Sequence, residues 1–289
     1  MLFRSGGRVV RHASAVIGLA VRRGLLQWLA TWLYPARCQG CGRLGPEPLC
    51  AACAAQVPLM LLPRCRWCGH WFDPLARDVE RCPDCRAARA RDLLVARTAA
   101  AHEGLTRRLV VRLKYQRHQA AAEALAVVLS RWLRHDEEAV CALALERATA
   151  LVPVPLHRRR EWWRSFNQAR LLAQALAQEW GLPLAEALVR VRSTRPQVGL
   201  NPQARERNVK GAFAAVAEHI VPGGTYVLVD DVYTSGATLR ECARTLLRAG
   251  AAEVVALTVA RPLRADLLQL ARRLSAEMDR PTDGEGRAL

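Results

Sequence analysis

The chain has 289 residues, 51% hydrophobic and 24% charged, a balance that builds a buried core and excludes a disordered or fibrous protein. Its formal net charge is +17, from 43 basic and 26 acidic residues, which points toward a polyanionic partner or a phosphorylated substrate. The best apolar run, AVIGLAVRRGLLQWLATWLY, is split by Arg22 and Arg23, which excludes a membrane span of ~20 residues and makes a poor signal peptide, so a cytoplasmic, reducing compartment is expected.

Only two of the basic residues are lysines, Lys114 and Lys210. So strong a preference for arginine looks like drift of the coding composition, which leaves much of the charge as solvated surface. The two lysines are either surface residues that escaped drift or positions where a compact ammonium is needed and a planar guanidinium does not fit.

In chain order, residues 1–36 read as one or two helices. Leu25, Trp28, Leu29, Trp32 and Leu33 share one face. That face fits packing on this protein or a partner, with membrane-surface binding as the alternative. Eight of the ten cysteines then form four CxxC pairs: Cys38 and Cys41, Cys50 and Cys53, Cys65 and Cys68, Cys82 and Cys85. One CxxC turn clasps one side of a tetrahedral Zn²⁺, and two complete a four-thiolate site. Disulfides would need an oxidising compartment. Gly42 and Gly69 follow the first and third turns, so the segment reads as a duplicated unit. Two sequential ribbons are the simplest pairing, and an interleaved cross-brace is the alternative. Four closed ligands leave no position for chemistry, so both ions are structural. Cys141 and Cys242 fall in helical patterns and are expected to be buried.

From about residue 93 strands and helices alternate. Strands are expected at 95–101, 149–154, 185–191, 211–216, 225–230 and 253–260. Helices are expected at 104–115, 119–134, 165–180 and 236–249. Such alternation gives a mostly parallel α/β sheet with helices on both faces. The tail RPTDGEGRAL reads as disordered.

In a parallel sheet, ligands bind at the carboxyl ends of the strands. The stretch VLVDDVYTSGATL therefore places Asp230 and Asp231 at that edge. Thr234, Ser235, Gly236, Ala237 and Thr238 then lead into a helix N-terminus whose free amides favour phosphate. Two acceptors for sugar hydroxyls beside a phosphate nest suit a ribose 5-phosphate. The bland alternative is a turn and a helix cap made by Asp231 and Thr234. The cluster HRRREWWR interleaves Arg158, Arg159, Arg160 and Arg164 with Trp162 and Trp163. It suits stacking with single-stranded nucleic acid; alternatively, the tryptophans pack beneath their helix. Lys114 could reach a phosphate, so Lys114, Arg159, Arg160 and Arg164 are the nucleic-acid candidates.

The pattern of apolar run, Asp-Asp, two residues and Thr-Ser-Gly-x-Thr resembles the phosphoribosyl pyrophosphate (PRPP) signature of type I phosphoribosyltransferases. LKY at 113–115, VPVPLHRRREWWRSFNQ at 152–168 and RPQVGLNPQARERNVKGAF at 195–213 resemble the ComF/GntX family, which also carries an N-terminal double zinc ribbon. The resemblance covers about residues 37–262. It implies a type I phosphoribosyltransferase-like parallel sheet flanked by helices and preceded by a small double zinc-ribbon module. The implied division is a helical extension at 1–36, the ribbons at 37–90, the transferase-like domain at 91–263, and a C-terminal helix with a disordered tail at 264–289. Asp230 and Asp231 are implied to bind the ribose hydroxyls, and Thr234 to Thr238 the 5′-phosphate. Pro155, Leu156, His157 and Arg158 would face the pyrophosphate. Arg195 to Lys210 would be a mobile lid, with Arg195 and Lys210 bringing cations to the leaving group. Mg²⁺ would arrive with PRPP. The implied activity is displacement of pyrophosphate from C1 of the ribose by an unknown acceptor, in DNA uptake during natural transformation. The alternative is a non-catalytic binding or adaptor protein of that machinery. The implied partners are single-stranded DNA and a competence helicase or other DNA-uptake protein. The family has glycine where this chain has Ser165, which strains the turn if that position needs an unusual backbone angle.

Overall fold

The computed structural model describes residues 36–61, 63–72, 80–89, 94–115, 119–194 and 201–278. The expected helices of residues 1–35 and the tail after 278 lie outside these residues.

The first unit is a repeat at the level of geometry. An isolated antiparallel bridge, Arg37 with Leu44, flanks the first CxxC turn, and Arg64 with Trp71 flanks the third at the same offsets. The second and fourth turns each lead into a short helix, α1 (Ala51–Ala54) and α2 (Pro83–Ala87). Gly42 and Gly69 have φ of 74° and 65°, a conformation that glycine adopts without a Cβ penalty.

The second unit has a four-stranded parallel sheet of β1 (Ala96–Ala101), β2 (Ala150–Pro153), β5 (Thr225–Val232) and β6 (Glu253–Arg261), in the order β1-β6-β5-β2. The inner strands carry unbroken apolar runs, Tyr226–Val229 and Val254–Leu257, as strands covered on both faces do. Successive residues take opposite sides. Val227, Val229, Val255 and Leu257 join the core made with α3 (Gly104–Tyr115), α4 (Gln119–Arg134) and α7 (Gln168–Trp180). Tyr226, Leu228, Val254 and Ala256 join Leu239, Cys242 and Leu246 of α9 (Ala237–Arg248) on the other face. The helix α5 (Glu137–Ala142) follows α4. Cys141 on it is exposed, not buried. Ala139 is the buried residue of α5, and two residues along a helix turn a side chain to the opposite face.

Two expectations need correction. The strands expected at 185–191 and 211–216 shorten to β3 (Leu188–Arg190) and β4 (Phe213–Ala215), which pair antiparallel with each other outside the main sheet. The helix expected at 165–180 is α7, which starts at Gln168, and a short helix that was not expected, α6 (Arg158–Arg164), precedes it. Ser165 has φ 63° and the Asn167 side chain caps α7 by accepting from Ala169 N at 3.0 Å. A left-handed non-glycine residue costs about 1–2 kcal/mol. Ser165→Gly relieves that cost but loosens the unfolded chain by about 0.5–1 kcal/mol. A net gain of about 0.5–1 kcal/mol is expected in denaturant unfolding, and a loss of stability would show that the serine is held without strain.

The ribbons are seated firmly on the sheet. Leu59 bridges Ala100, and Ala96 N donates to Trp67 O at 2.7 Å. Arg64 and Arg97, both nearly inaccessible, engage Asp136 and Glu138 at the start of α5. Met60 and Trp71 pack with Ala271 of α10 (Ala265–Met278).

Candidate active site

Asp230 and Asp231 lie at the carboxyl end of β5, as the end of an apolar strand requires. Asp231 is buried, and its backbone N–H donates to Asp230 Oδ1 at 2.9 Å. Lys114, in the last turn of α3, places Nζ 2.8 Å from Asp231 Oδ2. One of the two lysines therefore pairs with one of the two carboxylates. Burial, then the neighbouring Asp231 charge, raises the Asp230 pKa from 3.8 to about 8, against the opposing effects of the Asp231 N–H and Lys114. Asp230 thus holds its proton at neutral pH. His102 beside them is pushed down, first by burial and then by the Lys114 charge.

The next turn is shaped by one glycine. Gly236 has φ +72°, and a Cβ there would lie 2.3 Å from the Tyr233 hydroxyl. Gly236 sits at the N-cap of α9 and brings no side chain to cap it, while Ser235 Oγ accepts from Ala237 N at 3.5 Å. The first amides of α9 present the positive end of the helix dipole. Arg240 Nη1 holds Ser235 O at 2.9 Å.

These groups line a cavity of about 210 Å³. Lys114, Pro155, Leu156, Arg164, Asp230, Asp231, Thr234, Gly236, Ala237 and Thr238 are all on its wall. Asn167 Nδ2 donates to Val154 O at 3.0 Å and so fixes the start of the 155–158 loop. His157 pairs with Arg190 through an isolated bridge, and Arg158 is exposed at the start of α6. Lys210 is exposed after α8 (Pro202–Val209), with its carbonyl accepting from Arg192 at 2.6 Å. Arg195 lies outside the described residues, as do the side chains of Arg159 and Arg160. The cavity also takes in Gln168 and Arg190, which the sequence did not single out. Arg190 closes a strand and stacks on Phe213 at 5.2 Å. Trp162 and Trp163 are 84% and 71% exposed, so they do not pack beneath their helix.

The cysteines resolve the ribbon pairing as sequential. The Sγ atoms of Cys38, Cys41, Cys50 and Cys53 lie within 4.8 Å of one another, as do those of Cys65, Cys68, Cys82 and Cys85. Backbone N–H groups of Gly40 and Cys50 each point at Cys38 Sγ at 3.3 Å. Burial raises the Cys38 pKa, but the N–H groups of Cys50, Cys41 and Gly40 outweigh it and bring it to about 6. Converging thiols with N–H donors turned toward them fit tetrahedral Zn²⁺.

The comparisons agree with both halves of this geometry. The Phosphoribosyl transferase domain family matches residues 167–276, and the Double zinc ribbon domain family matches residues 29–86. DNA utilization protein YhgH of Escherichia coli O157:H7 is 34% identical over 218 residues, 73% of this chain and 89% of that protein. Competence protein F of Haemophilus influenzae is 32% identical over 222 residues, 75% and 92% respectively. The chain belongs to the ComF family. Competence protein ComFC of Bacillus subtilis is a more distant relative, 27% identical over 221 residues. The ComF architecture, a phosphoribosyltransferase-type sheet behind two zinc ribbons, is the one described above. Among the described residues, no helix is long and apolar enough to cross a membrane.

Proposed function

We propose that the cavity binds PRPP and that the chain transfers its phosphoribosyl group to an acceptor, releasing pyrophosphate, in the handling of DNA. The observation that carries this reading is the pairing of Asp230 and Asp231 with the N-terminus of α9 on one wall of one cavity. The carboxyl groups would take the ribose 2′- and 3′-hydroxyls. The amides and hydroxyls of Thr234 to Thr238 would take the 5′-phosphate. Arg164 and Arg190 would face the pyrophosphate, with Pro155 and Leu156 shaping its path and Arg195 and Lys210 arriving from the 195–210 segment. Among the described residues only the cysteine sets gather three or more metal-type side chains, so Mg²⁺ would enter on PRPP, where it neutralises the diphosphate charge. Positive charge on the sugar ring and negative charge on the leaving group would then develop between the Asp230 and Asp231 carboxyl groups and the cations of the cavity. Catalysis is positioning and electrostatics.

The DNA role rests on the relatives, a DNA utilization protein and a competence protein. It is favoured by Trp162 and Trp163, which stand in solvent on the helix that contributes Arg164 to the cavity. Stacking on exposed aromatics contributes ~1–3 kcal/mol per base. A competence helicase or other DNA-uptake protein is the partner this role would require.

Calorimetry with PRPP and Mg²⁺, followed by pyrophosphate release with candidate acceptors, tests the proposal. Saturable binding is expected, and its absence from folded, zinc-loaded protein would refute the reading. In parallel, Trp162→Ala with Trp163→Ala is expected to weaken binding of a single-stranded oligonucleotide at least tenfold while leaving PRPP affinity in place. Unchanged oligonucleotide affinity would remove these residues from the DNA role.

A further inference from the structure

The phosphate loop and the second zinc ribbon are separated by two side chains. Arg261, the last residue of β6, is 7% exposed. Its Nη1 donates to Cys68 O at 2.8 Å, and its two terminal nitrogens lie 3.9 and 4.0 Å from Cys68 Sγ. The same guanidinium stacks on the ring of Tyr233, 4.4 Å from its centroid. Tyr233 is 5% exposed and its N–H donates to Ala260 O at 2.9 Å. Its hydroxyl fills the space into which a Cβ on Gly236 would project, so the ring lies directly under the turn that aims the α9 amides.

The ribbon end of this contact has no slack. A Cβ on Gly69 would come within 2.7 Å of Ala96 O, so the ribbon presses its backbone onto β1. A zinc ion with four thiolates carries two net negative charges, and groups that hydrogen-bond to ligating sulfur tune and orient such a centre. Arg261 is the cation placed to balance that charge. Its other face supports the loop that takes an anion.

We propose that the second ribbon is a positioning element of the phosphate site, acting on Gly236 through Arg261 and Tyr233. This rests on the reading of the cavity as a PRPP site. It gives the zinc module a task in ligand binding beyond its own folding. Because coupling between two sites is reciprocal in binding free energy, PRPP must in turn be felt at the ribbon.

The test titrates zinc-loaded wild type, Arg261→Met, Arg261→Lys and Tyr233→Leu with PRPP and Mg²⁺, with zinc counted in each. Arg261→Met and Tyr233→Leu are expected to keep two zinc ions per chain and to bind PRPP about tenfold more weakly. Arg261→Lys is expected to recover part of the loss. In cobalt-substituted wild type, PRPP is expected to shift the thiolate–cobalt absorption, and Arg261→Met to lose that response. Wild-type affinity in Tyr233→Leu, or an absorption unmoved by saturating PRPP in wild type, overturns the relay while leaving the PRPP site standing. Should Arg261→Met shed its zinc, Tyr233→Leu decides alone. A wild type that binds neither PRPP nor inorganic phosphate overturns both readings together.

Discussion

At pH 7, Asp231→Asn is expected to weaken PRPP binding about a hundredfold, and Asp230→Asn tenfold or less. The asymmetry follows from the two environments. Asp231 faces the Lys114 ammonium at 2.8 Å, and an amide there loses a charge-assisted contact worth about 1.5–3 kcal/mol and strands the lysine. Asp230 is raised to about 8, chiefly by burial, so at pH 7 it is already neutral and asparagine imitates it. Calorimetry on the two variants checks this, and equal losses would show that the carboxyl groups share one role. Stability gives a second readout of Asp230. A carboxyl whose pKa is raised on folding binds its proton more tightly in the native state. Its contribution is therefore full below its unfolded pKa and is lost as pH climbs toward 8. Asp230→Asn has no such slope. Its stability relative to wild type is expected to rise between about pH 4 and pH 8 and to level above that, in denaturant series at each pH.

Removing zinc is expected to have the largest effect on the fold. Ribbon segments this short lack a core of their own, and a structural zinc site supplies ~10–16 kcal/mol of apparent binding energy that is folding energy. Metal analysis is expected to give two ions per chain; one would break the argument from the paired clusters. Cys65→Ser is expected to lose the second ion and to lower the melting temperature by about 10 °C or more. The loss extends beyond the ribbon, because Arg64 and Arg97 meet Asp136 and Glu138 in its shadow. An undocked ribbon leaves buried charges without partners, at ~3–5 kcal/mol for a broken buried pair. A melting temperature unchanged by Cys65→Ser would mean that the sheet stands without the second ribbon.

What was legible in the sequence was what is local. Unbroken apolar runs gave β2, β5 and β6, and the amphipathic periods gave α3 and α4 at their observed bounds. Spacing gave the cysteine sets and the loop around Gly236. The surplus of arginine made Lys114 conspicuous, but its partner Asp231 is distant in the chain, and no local pattern announces such a pair. Arg190, Tyr233 and Arg261 escaped for the same reason: each matters through a contact made only in the folded chain. The α6–α7 break was half visible. The family's glycine pointed to an unusual backbone angle at Ser165, which the φ of 63° bears out, but α6 itself was not expected as a helix. The short β3 and β4 read as strands because Val189 and Val191 are β-branched, although both are largely exposed. Propensity identifies an extended segment and not its sheet.

The order β1-β6-β5-β2 has a consequence for synthesis. The strand made first pairs in the sheet only with the strand made last, and Thr98 meets Thr258 across 160 residues. At ~5–20 residues per second, the ribosome takes on the order of ten seconds to deliver that partner. Leu59 waits longer still, for Ser275 to accept its N–H at 2.8 Å. Throughout that interval the ribbons can meet only elements already made, among them β1 and the start of α5. All four cysteine pairs are made before β1, so metal capture and the seating of the ribbons can precede the arrival of the strand that closes the sheet.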